Sequence, residues 1–160
     1  MDINKIIDFA TLKHKGQFRI GGEAYISHPL AVKDLLLSKG IEDDVFIATA
    51  ILHDILEDTD ASEDDILSLT NECVLRSVKL LTKDRDYVME SYIKQIKEDK
   101  VALLVKLADR VHNLKSAVIA SKKFKTRYIK ETESYYLDLA KGTIFDEDIK
   151  IALENLNKSL

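Results

Sequence analysis

Ile51-Leu52-His53-Asp54-Ile55-Leu56-Glu57-Asp58 sets two apolar pairs against two ionisable pairs, and the reading of this stretch decides that of the chain around it. On a helix advancing about 100° per residue, His53 and Glu57 share one row and Asp54 and Asp58 the next, so four ionisable groups occupy one arc. Leu52 and Leu56 flank that arc, Ile51 and Ile55 lie roughly opposite, and Ile47 and Ala48 extend the apolar cover. The pattern predicts a mostly buried helix from Asp43 to about Glu57. Three carboxylates and an imidazole on one side of such a helix repel one another and lose hydration unless a cation, a shared proton or water compensates. A divalent metal is one remedy. A solvated acidic helix end running into Thr59-Asp60 is the other reading of the same residues.

A second polar set stands in Val101 to Ser116. Leu104, Leu107, Ala108, Val111 and Leu114 form one apolar stripe, which leaves Lys106, Asp109, His112 and Asn113 on the other side, with Asp109 and Asn113 one turn apart. Alone this is a solvated polar face. His28 precedes Pro29, the sole proline, and alone it is a local hydrogen-bonding residue at a helix start. Together, His28, His53, Asp54 and Asp109 supply two imidazoles and two carboxylates, a mixed nitrogen and oxygen set suited to a borderline divalent ion.

With 160 residues, 46% of them apolar and 32% charged, the chain is expected to form a single domain, 1–160, that needs no disulfide or structural metal. One proline, five glycines and no tryptophan, among many Leu, Ile, Lys, Glu and Asp, predict an all-α bundle of roughly eight to nine helices. The expected helices run from Ile3 to near Gly16, through Pro29 to Lys39, Asp43 to about Glu57, Ser62 to about Leu69 and Asn71 to Leu81. They continue with Asp86 to Lys97, Val101 to about Ser121, Thr126 to Lys141 and Asp146 to Asn157. Ser62 with Asp65 reads as a capping box. Gly16 to Ser27, with three of the five glycines, is the longest candidate functional loop. Lys plus Arg number 24 against 28 Asp plus Glu, so no overall positive field gathers a nucleic-acid polymer or an anionic membrane. Cys73, without a second cysteine, reads as a small buried apolar residue in a reducing compartment. With no signal-like or spanning apolar run, the default address is the cytoplasm.

The residues His28, His53-Asp54 and Asp109 match the ordered H…HD…D signature of the HD-domain metal-dependent phosphohydrolases. Around them, His14-Lys15-Gly16-Gln17-Phe18-Arg19, Gly22-Glu23-Ala24-Tyr25-Ile26-Ser27-His28-Pro29, Leu52 to Thr59, Leu81-Thr82-Lys83 and Lys106 to Asn113 stand in order. From about residue 9 to residue 116 the chain thereby resembles the hydrolase domain of RelA/SpoT homologues. The resemblance implies an all-helical HD fold and hydrolysis of ppGpp or pppGpp to GDP or GTP plus pyrophosphate, with a manganese ion. It implies His28, His53, Asp54 and Asp109 as metal ligands. Glu57 and Asp58 match an acidic pair that would orient or deprotonate water. Arg19, Asn113 and Ser116 match substrate-binding positions, and Lys106 would add positive potential there. His14 and His112 are expected to frame the site by hydrogen bonding, Tyr25 to pack, Arg110 to supply potential or a structural ion pair, and Lys83 to be structural.

Two departures bear on the substrate. Ile20-Gly21 stands where many relatives carry Lys-Ser, removing a cation and a hydroxyl, and Ala24 stands where proline is common. Another 3′-phosphorylated nucleotide, such as an adenosine alarmone (ppApp) or NADPH, is therefore an alternative substrate, and a non-catalytic alarmone-binding module is an alternative of a different class. The expected partner is a guanosine polyphosphate. The sequence also leaves room for a second copy of the chain.

Overall fold

Helix starts fall where short polar side chains precede a helical run. Asp2, Asp43, Asn71, Asp99 and Ser121 each accept a hydrogen bond from a backbone N–H in the following turn, and Ser62 and Asp65 form the reciprocal capping box expected of them. Each such cap is worth about 1 kcal/mol. The computed structural model describes residues 1–160. Its helices are α1 (Ile3–Lys13), α2 (Ser27–Ser38), α3 (Asp44–Leu52), α4 (Ile55–Asp58), α5 (Glu63–Leu69) and α6 (Glu72–Leu81). They are followed by α7 (Met89–Glu98), α8 (Lys100–Ser116), α9 (Lys122–Glu131), α10 (Leu137–Ala140) and α11 (Asp146–Lys158). A 3-10 turn at Ala117–Ile119 follows α8, and a π-helical turn at Thr132–Tyr136 joins α9 to α10. Counting α3 with α4 and α9 with α10 as interrupted helices gives nine, and the only strand-like pairing is an isolated bridge between Phe18 and Ala24. The fold is all-α, as expected.

Helix α3 is the centre of the molecule. Ile47 through Leu52 are all buried, so this segment has no polar stripe to present to water and must be covered on every side. It packs against α1, α2, α6 and α8, and α8 in turn packs against α2, α7 and α11. From α8 the side chains of Leu104, Leu107, Val111 and Leu114 enter the same core, facing Val32 and Leu36 of α2 and Ile51 and Leu52 of α3 within one apolar cluster. Each fully buried side chain of this kind contributes roughly 1.5–3 kcal/mol. Because α2, α3 and α8 pack on one another, polar residues at their meeting point are held by the core rather than by loops.

Several boundaries differ from the expected ones, with identifiable causes. The helix expected from Asp43 to Glu57 breaks at His53-Asp54, where Asp54 adopts φ −100° and ψ −1° and the His53 ring nitrogen Nδ1 donates to the carbonyl of Ala50 at 2.7 Å. That carbonyl is the one a continuous helix would offer to the Asp54 amide. Helix α7 begins at Met89 rather than Asp86, and α9 begins at Lys122, four residues before Thr126, because Ser121 caps it. Cys73 is exposed, not buried: it lies on the water side of α6, whose inward face is Val74, Leu75, Val78 and Leu81. Gly16 follows α1 with φ +85°, a left-handed conformation that costs glycine nothing. It turns the chain into the loop carrying Arg19 and Tyr25, which is tied by Arg19 N–H to Glu23 O at 2.8 Å and Tyr25 N–H to Gln17 O at 2.9 Å.

Candidate metal centre and its cleft

His28 from the first turn of α2, His53 at the end of α3 and Asp109 from the middle of α8 converge in the interior. Their ligand atoms lie within 4.8 Å of one another, and all three residues are buried. His28 Nε2 is 2.8 Å from Asp109 Oδ1, and His53 Nε2 is 3.4 Å from the same oxygen. Asp54 Oδ2 lies 3.1 Å from His53 Nε2 and 3.7 Å from His28 Nε2. Two ligand atoms bound to one transition-metal ion at about 2.1 Å stand roughly 3 to 4.2 Å apart, and three of these four separations fall in that range, with the His28–Asp109 pair slightly closer.

The hydrogen bonds on the far sides of the rings show which nitrogens face the centre. Because His53 Nδ1–H donates to Ala50 O, Nε2 is the nitrogen turned inward. It is buried and makes no hydrogen bond despite the two nearby carboxylates, whose directions do not suit one. His28 Nδ1 is 2.7 Å from His112 Nδ1, and one of the two must donate. Burial, followed by the neighbouring His28 and Arg19, lowers the His112 pKa to about 4, so His112 is neutral and can accept. It can equally donate, and in the metal-free chain it does: His28 Nε2 lies 2.8 Å from the ionised Asp109 Oδ1 and must donate to it, which leaves Nδ1 of the neutral ring to accept from His112, and a bound metal would take the place of the Nε2 proton. Two imidazole nitrogens and two carboxylates facing one point require a cation among them. His28, His53 and Asp109 can therefore hold a metal ion.

In the protein alone a proton takes that part. Burial disfavours charge on His53, but Asp54 and Asp109 together hold its pKa well above the ordinary range, whereas burial dominates at His28 and lowers its pKa. Burial likewise works against ionised Asp54 and Asp109. His53 outweighs it at Asp54, and Lys106, His28 and His53 outweigh it at Asp109, so both carboxyls fall below their usual range. Asp109 is held firmly: Asn113 Nδ2 donates to Oδ1 at 2.9 Å and Lys106 Nζ to Oδ2 at 3.0 Å.

Outward from this centre Asp54 also belongs to a second group with Glu57 and Asp58, both exposed. Glu57 Oε1 accepts from the backbone N–H of Lys83 at 2.7 Å. Burial, then the charges of Asp54 and Glu57, raise the Asp58 pKa. Tyr25 Oη donates to Asp54 Oδ2 at 2.5 Å and lies 3.3 Å from Asp58 Oδ2. Tyr25 thus bridges the two carboxylates, a role that the packing expectation missed. Its signal lies in the fold of the 16–26 loop, which residue spacing does not encode. His14 is buried against the Tyr25 ring at 4.8 Å and pairs with Gln17 at 2.9 Å, and Gln17 in turn donates to the Asp58 carbonyl at 2.7 Å.

These groups open into a cavity of 470 Å³ between α4, α8 and α9, with Asp54, Asp109, Lys83 and Arg127 among its walls. An adjoining cavity of 280 Å³ has Arg19, Ile20, Ser116 and Ala117 on its walls and shares Asn113, Phe124 and Tyr128 with the first. The larger hollow of 610 Å³ between α6 and α7 holds none of the clustered imidazoles. Of the residues expected to bind substrate, Arg19 and Asn113 are joined by a 2.8 Å hydrogen bond at the junction of the two cavities. The Ser116 hydroxyl donates to the carbonyl of His112 at 3.0 Å, leaving its oxygen lone pairs toward the cavity. Lys106 lines the larger cavity, with its ammonium engaged with Asp109. Arg110 is structural: buried, paired with Glu131, and set between the rings of Tyr128 and Tyr136 at 4.1 and 3.8 Å. The α9 wall, Phe124, Arg127 and Tyr128, was not singled out from sequence.

No family model matches the chain. GTP pyrophosphokinase rsh of Brucella melitensis biotype 1 is 35% identical over 165 aligned positions, which take in 96% of this chain. A guanosine-3′,5′-bis(diphosphate) 3′-pyrophosphohydrolase of Aquifex aeolicus is 36% identical over 147 positions and 87% of this chain. Nearly the whole of this chain is thus similar in sequence to one region of these relatives. It spans about a fifth of the length of these relatives, 22% of the first and 21% of the second. A solved structure of a metazoan orthologue of SpoT, a protein that hydrolyses ppGpp, matches with a TM-score of 0.80 over 98% of this chain and 93% of its own, at 24% identity. That likeness establishes the helical fold. No helix of the chain is long and apolar enough to cross a membrane.

Proposed function

We propose that this chain is a RelA/SpoT homologue and, acting through residues 1–160 as one unit, a manganese-dependent (p)ppGpp 3′-pyrophosphohydrolase. The observation that carries the reading is the buried His28, His53 and Asp109 group beside Asp54, opening directly onto a cavity edged by two exposed carboxylates. The pyrophosphohydrolase name of the Aquifex relative supports the substrate. Asp54 completes a two-imidazole, two-carboxylate set in which a divalent ion is charge-neutral before an anionic substrate arrives. When bound, such an ion supplies Lewis-acid charge against phosphoryl oxygens.

The chain's own residues account for orientation and protons. Lys106 and Asn113 fix the Asp109 carboxylate, and Tyr25 fixes Asp54. Hydrolysis adds water to the phosphorus attached to the ribose 3′ oxygen, breaks that bond and releases pyrophosphate, so one proton leaves water and one reaches the ribose oxygen. Glu57 and Asp58 are the carboxyls placed to handle both. Glu57, oriented by the Lys83 amide, suits the accepting role, and Asp58, with its raised pKa, suits the donating one. Arg19 is placed to stack on or hydrogen-bond a nucleotide at the smaller cavity.

Purified protein supplied with ppGpp and Mn²⁺ is expected to yield GDP and pyrophosphate, with product lost on chelation and in Asp54→Ala. Absence of turnover with manganese bound removes the reading. One observation favours a second substrate: Ile20 on the wall of the smaller cavity offers no polar contact to a base edge. Release of pyrophosphate from ppApp, or of orthophosphate from NADPH, in the same assay identifies that alternative.

A further inference from the structure

Four cations face the 470 Å³ cavity, and the fold treats them in two ways. Lys106 is ion-paired with Asp109, and Arg110 with Glu131, each through a side chain that is almost wholly enclosed. Their charge answers carboxylates of the protein itself. Lys83 and Arg127 make no ion pair. Lys83 Nζ rests over the rings of Tyr87 and Tyr92 at 5.3 and 5.5 Å, and Arg127 lies over Phe124 at 5.5 Å. Aromatic faces hold a cation in place without neutralising it, so both side chains are oriented yet free to bind an anion.

Their placement matches a chain of phosphates. The backbone N–H of Lys83 holds Glu57, which sets this lysine beside the acidic pair. Arg127 stands on α9 between Phe124 and Tyr128, the residues that line both cavities. On the loop side of the cleft the sequence after Arg19 is Ile20-Gly21, and Arg19, which also makes no ion pair, donates to Asn113 and lines the smaller cavity rather than this one. We infer that Lys83 and Arg127 are the phosphate-binding cations of this cleft and take the nucleotide's phosphates beyond the metal centre. Lys106 and Arg110 instead hold the protein's own acids. The inference rests on the hydrolase reading for the kind of nucleotide, and on the cavity alone for the phosphates.

The test is a calorimetric titration of the manganese-loaded chain with GDP and, in parallel, ADP, so that phosphate binding is read whichever base fits. Wild type, Lys83→Met and Arg127→Met are compared, with manganese per chain measured by atomic emission. Each substitution is expected to weaken both nucleotides about tenfold or more, the scale of one charge-assisted contact. KM for ppGpp should rise by a similar factor while manganese content stays at the wild-type value. Affinities within twofold of wild type overturn the assignment, as does a wild type that binds neither nucleotide. A loss of manganese in either variant also overturns it, because the residue then supports the metal centre. If nucleotide binding behaves as expected but ppGpp is not hydrolysed, the phosphate site stands and the hydrolase reading fails.

Discussion

At the metal centre, His28, His53 and Asp109 are buried on helices that pack on one another, and their outer atoms are tied to Ala50, His112, Lys106 and Asn113. On the facing wall, Arg127 is exposed on α9 and Lys83 is partly exposed beyond α6, with aromatic rings as their supports. The first region is built to hold a small cation in fixed geometry. The second is built to meet a larger anion from solvent. Preorganisation is needed most where donor atoms of like charge must converge, and there the fold uses its core. Phosphates bring their own charge and need only unpaired cations within reach.

The sharpest way to break this contrast is to remove a ligand. His53→Ala leaves Asp54 and Asp109 with only the His28 imidazole beside them. Manganese stoichiometry should fall to near zero, and hydrolysis of ppGpp by about a thousandfold or more, since a ligand supplies both affinity and charge. Added manganese should raise the melting temperature of the wild type through binding to the folded state and leave that of the variant unchanged. A variant that keeps one manganese per chain would falsify the assignment of His53 as a ligand.

The two regions also differ in how far the sequence discloses them. His53, Asp54 and Asp109 could be picked out because an ionisable residue inside an apolar helical frame is anomalous, and the anomaly shows in spacing alone. The break at His53-Asp54 was not visible, because the apolar period reads the same whether or not the backbone departs from the helix there. Tyr25 reaches Asp54 through the turns of the 16–26 loop, and its place in the chain gives no hint of that. Lys106 lies three residues before Asp109 on one helix, so their pairing was legible in principle. Spacing alone does not choose between that pairing and a substrate contact. On the α9 wall, Lys122 and Lys123 begin the helix without an apolar residue to mark its first turn, which leaves Phe124 outside the expected segment, while Arg127 and Tyr128 lie inside it with nothing in their spacing to tie them to the cleft.

Two arginines on one cavity sharpen the comparison by stability. Arg110 is buried between Tyr128 and Tyr136 and donates to Glu131 and Thr132 Oγ1. Arg110→Met removes those bonds and the stacking, and should cost about 2–4 kcal/mol in urea denaturation. Arg127 is exposed, and Arg127→Met should stay within about 0.5 kcal/mol of wild type. Equal losses from the two substitutions would show that Arg127, too, serves the fold.

The smallest expected effect lies at the seam between the regions. In the metal-free protein, burial and the charges of Asp54 and Glu57 raise the Asp58 pKa above its unfolded value, while Tyr25 and His14 pull the other way. A carboxyl whose pKa is raised by folding favours the native state when protonated. That contribution is fully present below the unfolded pKa, near 4, and is lost as pH climbs through the folded pKa. Above its folded pKa the ionised Asp58 is therefore a net repulsive neighbour. Asp58→Asn should leave metal-free protein as stable as wild type or more stable, by less than about 1 kcal/mol because the carboxyl is largely open to water and the repulsion is screened. The difference should shrink in denaturation curves taken near pH 4, where wild-type Asp58 carries a proton. Turnover should nevertheless fall, because the amide cannot donate and regain a carboxylic proton. A destabilised Asp58→Asn at pH 7 would mean that the Tyr25 bridge, rather than charge repulsion, governs this position, and the proton-donating role would then pass to Glu57.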